Sequence, residues 1–343
     1  MRMRLFACIL AMLCLLLPAC DVHEFPEPPL PPVELSLNLR FTFGMGELED
    51  FKTIYVTTRA AEDSTAFEAR YQLRIHPSNG KGGFLMDSCL AYVFSQSQLE
   101  ALDYRLPLQL VPGQYRFRAW VDCVAKQDTL TDLYYDTADF EAITLREPHA
   151  GATDYRDAFR GTLDAEIFPV EINPNQELHI QMERPLAKYR FIATDLKEFE
   201  ELRLREAQKG GELTSTPPPI DLSTYKVVID YGGFYPTVFS LATDEPIDVR
   251  TGVNFSVAPR KIADEEVDLG FDYVLIGRQE SGVNITLSIY DEKGKLVAGV
   301  SGIEVPLRRG QLTTVRGKFL TARSSGDVSI DPSFDGEFNV IVP

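Results

Sequence analysis

Val33-Glu34-Leu35-Ser36-Leu37-Asn38-Leu39-Arg40-Phe41-Thr42-Phe43 is the stretch that decides the fold class. Val33, Leu35, Leu37, Leu39, Phe41 and Phe43 are apolar, and polar residues fill the places between them. A period of two sends the two sets to opposite faces of a pleated strand, so the segment predicts a strand with one face in a core and one in water.

Downstream, the same reasoning predicts strands at Ile54–Thr58, Tyr71–Ile75, Leu90–Phe94, Leu106–Leu110, Gln114–Val121, Phe140–Leu145, Phe159–Ile167 and Leu178–Met182. Turn signals such as Pro77-Ser78-Asn79-Gly80 and Val111-Pro112-Gly113 separate them. Short strands with closely spaced turns point to an antiparallel sandwich and away from a parallel α/β sheet. A second module begins near Pro185 with a strand at Tyr189–Thr194. One helix follows, with Asp195 as its cap, Glu198 at the capping-box position, Leu196, Phe199 and Leu202 on one face, and Gly210-Gly211 at its end. Strands resume at Tyr225–Tyr231, Thr237–Leu241, Phe271–Ile276, Val283–Tyr290, Lys295–Val300, Thr313–Leu320 and Gly336–Val342, with a hairpin turn at Asp291-Glu292-Lys293-Gly294. The expected architecture is all-β: two tandem β-sandwich domains, 33–184 and 185–343, with one short helix in the second.

Upstream, residues 20–32 hold a Pro-rich run that favours an extended spacer. Before it, Arg2 and Arg4 precede an apolar run from Leu5 to Leu17, closed by Pro18-Ala19-Cys20. That run falls short of the ~20 apolar residues a bilayer span needs. Basic residues, a short greasy stretch, then a small residue and cysteine form a bacterial lipoprotein signal, residues 1–19, with Cys20 as the acylated residue. The chain is expected to be exported and tethered to a membrane by lipid.

The chain carries 34 Lys+Arg against 51 Asp+Glu, a net charge of −17. Such a balance excludes nucleic acid as a partner, because phosphate binding needs clustered cations. It also leaves acyl chains, not basic patches, as the membrane anchor. Cys8 and Cys14 leave with the signal, so Cys89 and Cys123 remain; outside the cytoplasm they form a disulfide or pack as two small apolar residues.

No catalytic signature stands out: HExxH, GxSxG and the Walker loop are all missing. His149 with Asp154 and Asp157, and the run Asp327, Asp331, Asp335, contain metal-ligand residue types, but polar loop, turn and cap roles account for both, so no metal and no cofactor is expected. Asn79-Gly80-Lys81-Gly82-Gly83 lacks the strand-to-helix setting of a phosphate cradle and is expected to be a loop. Trp120 has the parity of Arg116, Arg118 and Asp122, opposite to Tyr115, Phe117, Ala119 and Val121. It is either a platform for sugar or partner on an open sheet face, or a residue covered by a neighbouring loop.

Four stretches together resemble the fimbrillin superfamily of Bacteroides-type bacteria, particularly its lipidated anchor-like or minor subunits. They are Cys20-Asp21-Val22-His23-Glu24-Phe25-Pro26; Tyr115-Arg116-Phe117-Arg118-Ala119-Trp120-Val121-Asp122 with Tyr134-Tyr135-Asp136 and Asp154-Tyr155-Arg156-Asp157-Ala158-Phe159; Glu183-Arg184-Pro185-Leu186-Ala187-Lys188-Tyr189-Arg190-Phe191; and Val305-Pro306-Leu307-Arg308-Arg309-Gly310-Gln311-Leu312-Thr313-Thr314-Val315-Arg316-Gly317 with Phe334-Asp335-Gly336-Glu337-Phe338. The resemblance implies two transthyretin-like sandwiches, export to the outer membrane, and a structural, non-enzymatic role in surface fimbriae. It also implies partner subunits that dock by strand addition. Val33–Phe43 matches the family's first strand, Arg59 is the candidate protease cleavage point by its neighbourhood, and Phe338, Val340 and Val342 form a candidate donor strand. Asp63-Ser64-Thr65, Asp128-Thr129-Leu130 and Asp136-Thr137-Ala138 fit the O-glycosylation triplet of such bacteria. The competing expectation is a surface glycan-binding lipoprotein, in which Trp120 and other exposed aromatics stack on sugar rings. A buried Trp120 and an intact first strand would favour the anchor.

Overall fold

The computed structural model describes residues 30–41, 66–96, 103–209, 220–322, 329–330 and 340–341. The predicted alternation at the start of the chain becomes strand β1 (Val33–Phe41), with Val33, Leu35, Leu37, Leu39 and Phe41 all buried. β1 is the middle strand of its sheet. On one side it pairs antiparallel with β4 (Asp103–Leu110), Val33 opposite Leu110 and Arg40 opposite Asp103. On the other it pairs parallel with β9 (Glu177–Met182), Ser36 opposite Glu177 and Phe41 opposite Met182.

The facing sheet runs in the order β3 (Leu90–Gln96), β2 (Phe67–Pro77), β5 (Gly113–Ala125), β8 (Phe159–Ile167) and is antiparallel throughout. Its inward residues Tyr71, Leu73, Ile75, Phe117, Ala119 and Val121 form one core with those of β1. Phe41 stands edge-on to Phe159, with ring centroids 5.3 Å apart. Gly161 closes one side of the sandwich: a Cβ there would lie 2.4 Å from Ile180 Cγ2 and 2.8 Å from the Gln181 carbonyl, so glycine lets β9 approach β8.

The second module repeats this plan. Its first strand, β10 (Leu186–Ala193), pairs antiparallel with β16 (Val267–Leu275) and parallel with β19 (Leu312–Gly317). β15 (Arg260–Lys261) extends that sheet beyond β16. The opposing sheet is ordered β14 (Asn254–Val257), β11 (Lys226–Tyr231), β17 (Ser281–Tyr290), β18 (Leu296–Leu307). The parallel pair in each module departs from the antiparallel expectation. Its consequence is directional: first and last strands run the same way, so the chain enters a module at one end and leaves at the other. At the predicted turn, Asp291 Oδ1 accepts from the Lys293 and Lys295 amides, and Gly294 takes φ +74°.

Helix α1 (Leu196–Lys209) is the one α-helix among the described residues, and it buries Leu196 and Phe199. The capping-box expectation is corrected in part. Asp195 does precede the helix, but its carboxylate accepts from the Leu320 and Thr321 amides, while Glu198 binds Lys318. Tertiary partners thus occupy both side chains.

The expected boundary at 184/185 is crossed by a strap. Of Phe140–Leu145 only β7 (Ile143–Leu145) is strand; it pairs with β6 (Tyr135–Asp136) and with β12 (Tyr235–Ser240), which in turn pairs with β13 (Glu245–Arg250). Tyr135, Phe140, Ile143 and Leu145 therefore pack in the second module's core. The strap lies against the outer face of β2 and β5 and packs into the second module's core, which fixes the modules to each other.

Candidate functional site

β1 is the first candidate, because the family resemblance marks it as the strand expected to take part in strand exchange. Its ladder partners come from sequence positions far apart, and its outward side chains make only light contacts. Gln109 Nε2 donates to Glu34 Oε1 at 3.1 Å, and Arg105 donates to Ser36 Oγ at 3.0 Å and to Glu177 at 2.9 Å, all on the exposed face. Exposed pairs of this kind contribute at most about 1 kcal/mol each. Five buried apolar side chains carry the strand's docking instead, each worth roughly 1.5–3 kcal/mol against full exposure. Removing β1 would leave a slot between β4 and β9 lined by apolar groups.

Trp120 is not a platform. It is fully buried, edge-on to Tyr135 with ring centroids 5.3 Å apart, and belongs to the second module's core. The physical reason is the strap, which covers the outer face of β2 and β5. Arg74 donates to the carbonyls of Thr137 and Ala138 and stacks 4.0 Å from the Phe140 ring centroid, and Arg118 pairs with Glu141. Arg70 grips Asp122 through Nε and Nη2 at 3.0 and 2.7 Å and reaches Asp132 on the strap at 2.7 Å. Burial pushes the Asp122 carboxyl up to about 6; Arg70 pulls against that shift and Asp132 adds to it.

Two further polar clusters tie the second module to the segment after the strap and to β8, and neither was expected from the sequence. Asp272 is buried on β16, paired with Arg156 and with His149 Nε2 at 2.8 Å, and it accepts from the Tyr231 hydroxyl at 2.6 Å. Burial alone would raise its carboxyl, but Arg156 and His149 more than offset that and hold it below the usual range. Asp244 takes φ +60°, a left-handed conformation that aspartate tolerates, and it receives Arg160 at 2.8 Å, Arg278 at 2.9 Å and Arg309 at 2.8 Å. Burial raises the Asp244 carboxyl, and Arg278, Arg309 and Arg160 overcome it to hold the group low. Arg160 belongs to the first module and Arg309 to the second, so Asp244 clamps the two. Arg184 and Asp157 add a buried pair at 2.8 Å at the junction.

The other sequence expectations divide clearly. Cys20, Arg59, Phe338, Asp63-Ser64-Thr65 and Asp327, Asp331, Asp335 lie outside the described residues. The Cys89–Cys123 disulfide is corrected. Cys123 lies opposite Ala69, whereas Cys89 precedes Leu90, which lies opposite Ile75 six residues along β2. At ~3.3 Å per residue the two are roughly 20 Å apart along the strands, beyond the ~7 Å Cα separation a disulfide permits. Cys89 is exposed, Cys123 is buried, and no bond joins them. His149, Asp154 and Asp157 do not converge: His149 meets Asp272, Asp154 binds Lys188 at 2.7 Å, and Asp157 binds Arg184. No cluster of three metal-ligating side chains occurs among the described residues. Thr137 is buried and bonded to Asp132, which removes it as a sugar acceptor, while Thr129 sits half-exposed beside an exposed Leu130. Asn79 Oδ1 accepts from the Lys81 and Gly83 amides, so that loop carries its own turn.

A family model described as a family of unknown function (DUF6562) matches residues 31–343. No curated protein matches the chain. Among solved structures, it is similar to a DUF1812 protein from Bacteroides thetaiotaomicron VPI-5482 provisionally described as polysaccharide binding, at 16% identity and TM-score 0.43, covering 78% of this chain and 79% of that one. It is similar to the fimbrial anchor protein Mfa2 from Porphyromonas gingivalis at 14% identity and TM-score 0.38, covering 78% and 81%. A fimbrial assembly protein from Parabacteroides distasonis ATCC 8503 is similar at 12% identity and TM-score 0.39, covering 90% and 98%.

Proposed function

The chain belongs to the DUF6562 family of unknown function, and we propose that it is an outer-membrane lipoprotein serving as a structural anchor or accessory subunit of a fimbria. The observation that carries this reading is the retained central strand. A lipoprotein signal ending at Cys20, a Pro-rich tether and β1 follow one another directly, and β1 is buried between β4 and β9. A subunit whose first strand holds both its own sandwich together and the lipid at its N-terminus is suited to stay put while others are added. Cutting at Arg59 would detach the module from the lipid, so an anchor keeps that site intact. Partner subunits would dock by strand addition, with the C-terminal alternation around Val340 as a donor. The role is structural: the buried carboxylates Asp122, Asp157, Asp244 and Asp272 each face arginine. The burial of Trp120 takes that residue out of the glycan-binding alternative and favours the anchor.

The test combines fractionation with capture. Wild-type protein should carry fatty-acid label and sediment with outer membranes, and Cys20→Ser should lose both. Capture of the lipidated protein should bring down surface-filament subunits. Retention of Cys20→Ser in the membrane, or capture without any filament subunit, overturns the reading.

A further inference from the structure

At one end of the first sandwich, the entry to β1, the β4–β5 turn and the β8–β9 loop present five large apolar side chains to solvent, beside a β2–β3 loop that exposes Leu85 and Met86. Leu30 before β1 is 52% exposed, Val111 in the β4–β5 turn 43%, and Phe168, Val170 and Ile172 in the β8–β9 loop 37%, 47% and 68%. The ladders put them together: Val33 lies opposite Leu110, Gly113 opposite Ile167, and Ser36 opposite Glu177. The loop is a fixed structure. Gln176, itself buried, accepts from the Phe168 amide at 2.9 Å and donates to the Phe168 carbonyl at 2.6 Å, closing the loop at its base. Within it the Ile172 and Asn173 amides both donate to the Pro169 carbonyl. Its apolar side chains are therefore held outward and do not fold back onto the core.

Two observations say which way this tip faces. The chain enters β1 at this end, so the tether leaves from beside the tip. β9 runs parallel to β1 and passes at Met182 directly toward β10, so the second module lies at the opposite end. Ten residues separate Cys20 from Leu30, which at ~3.1 Å per residue in an extended Pro-rich chain is at most about 30 Å. We propose that Leu30, Val111, Phe168, Val170 and Ile172 form a membrane-apposed tip that rests in the interface of an uncharged bilayer surface and sets the molecule upright on its anchor. The proposal builds on the lipoprotein reading, because the tether supplies the effective concentration that lets so small an apolar surface engage lipid. Charge selects the kind of lipid. Glu171 is the one ionisable residue from 168 to 176, and the β2–β3 loop at the same end adds Lys81 and Asp87, so no excess of cations draws anionic headgroups to the tip.

The experiment replaces the acyl anchor so that its outcome does not depend on acylation in the cell. Residues 21–343, with an N-terminal histidine tag and Cys89→Ser, are bound to phosphatidylcholine vesicles containing nickel-chelating lipid. A polarity-sensitive dye is placed at Ile172→Cys or, as a control on the exposed turn of the second module, at Lys293→Cys. The dye at 172 should shift to the blue and be quenched by lipid brominated along its acyl chains, while the dye at 293 is unaffected. Phe168→Ser with Val170→Ser, checked for unchanged thermal unfolding, should abolish the shift at 172. Equal behaviour of the two dyes, or a shift that survives the serine variants, overturns the proposal. A shift that appears without vesicles and grows with protein concentration also overturns it, since a second copy then covers the tip. Failure of the lipoprotein reading shows separately, in the fractionation of Cys20→Ser.

Discussion

Trp120 on β5 and Tyr135 on the strap meet edge to face, ring centroids 5.3 Å and planes 74° apart, and through that contact a residue of the first module's sheet enters the core of the second. The strap turns what would be an outer sheet face into an interface, and it commits the two sandwiches to unfold together.

Trp120→Ala should therefore cost about 3–5 kcal/mol, the usual range for a large buried aromatic, and should lower the stability of both modules. A single thermal transition, shifted down, is expected. Two separate transitions, one unshifted, would show that the modules are energetically independent.

β1 gives the second prediction. Leu37→Ala should destabilise the first module by about 2–5 kcal/mol, because Leu37 is fully buried in a packed core. Glu34→Ala on the solvent face should stay within about 0.5 kcal/mol. Deleting 33–41 should lower the unfolding midpoint, and a peptide of sequence VELSLNLRF should raise it again. If the deleted protein melts like the intact one, β1 is peripheral and strand exchange at this site fails.

Much of this was legible locally. The period of two from Val33 fixes β1, and the same signal finds β2, β5, β8, β11 and β17, because alternation is a property of neighbouring residues. The strap was not legible. β6 and β7 are two and three residues long, too short for a periodic signal, and they are strands only because β12 is there to pair with them. Trp120 had the parity of an open face, and only the distant segment from Tyr135 to Leu145 covers it. Asp272 is inward because a bulge between Phe191 and Ile192 shifts the register of β16, a feature that sequence parity alone does not carry. The disulfide failed for a related reason: Cys89, just before β3, and Cys123 on β5 could bond only if the register of the sheet brought them together.

Asp244 supplies the third prediction. Asp244→Ala would leave Arg160, Arg278 and Arg309 facing one another with only Glu183, on Arg160, as a remaining ion-pair partner among the described residues, and should cost about 3 kcal/mol by analogy with breaking a buried pair. Limited proteolysis within residues 126–158 should then be faster than in the wild type, because loosening the clamp between the modules uncovers the strap between them. A variant with unaltered melting and cleavage would mean that the apolar strap alone holds the modules.

The last prediction concerns acid. Asp122 in the folded protein is pushed up to about 6, against an ordinary 3.8, so the folded state binds that proton more tightly than the unfolded chain. Its contribution to stability therefore improves as pH falls from about 7 toward 4, and is least favourable above 6. Asp244 and Asp272 act in the opposite sense. Held below 3.8, they stabilise the fold above that value and lose their contribution as pH falls through their lowered ones. Between pH 7 and 4.5 buried His76, its pKa held below the ordinary value by burial, also loses stability as the unfolded chain takes up its proton, but it does so in both proteins, so the unfolding midpoint of wild type should rise relative to that of Asp122→Asn across this interval. Thermal melts of both proteins at the two pH values measure the difference directly. A gap between them that is the same at both values would mean that Arg70 keeps Asp122 ionised throughout, and that Asp132 does not compete for the same guanidinium.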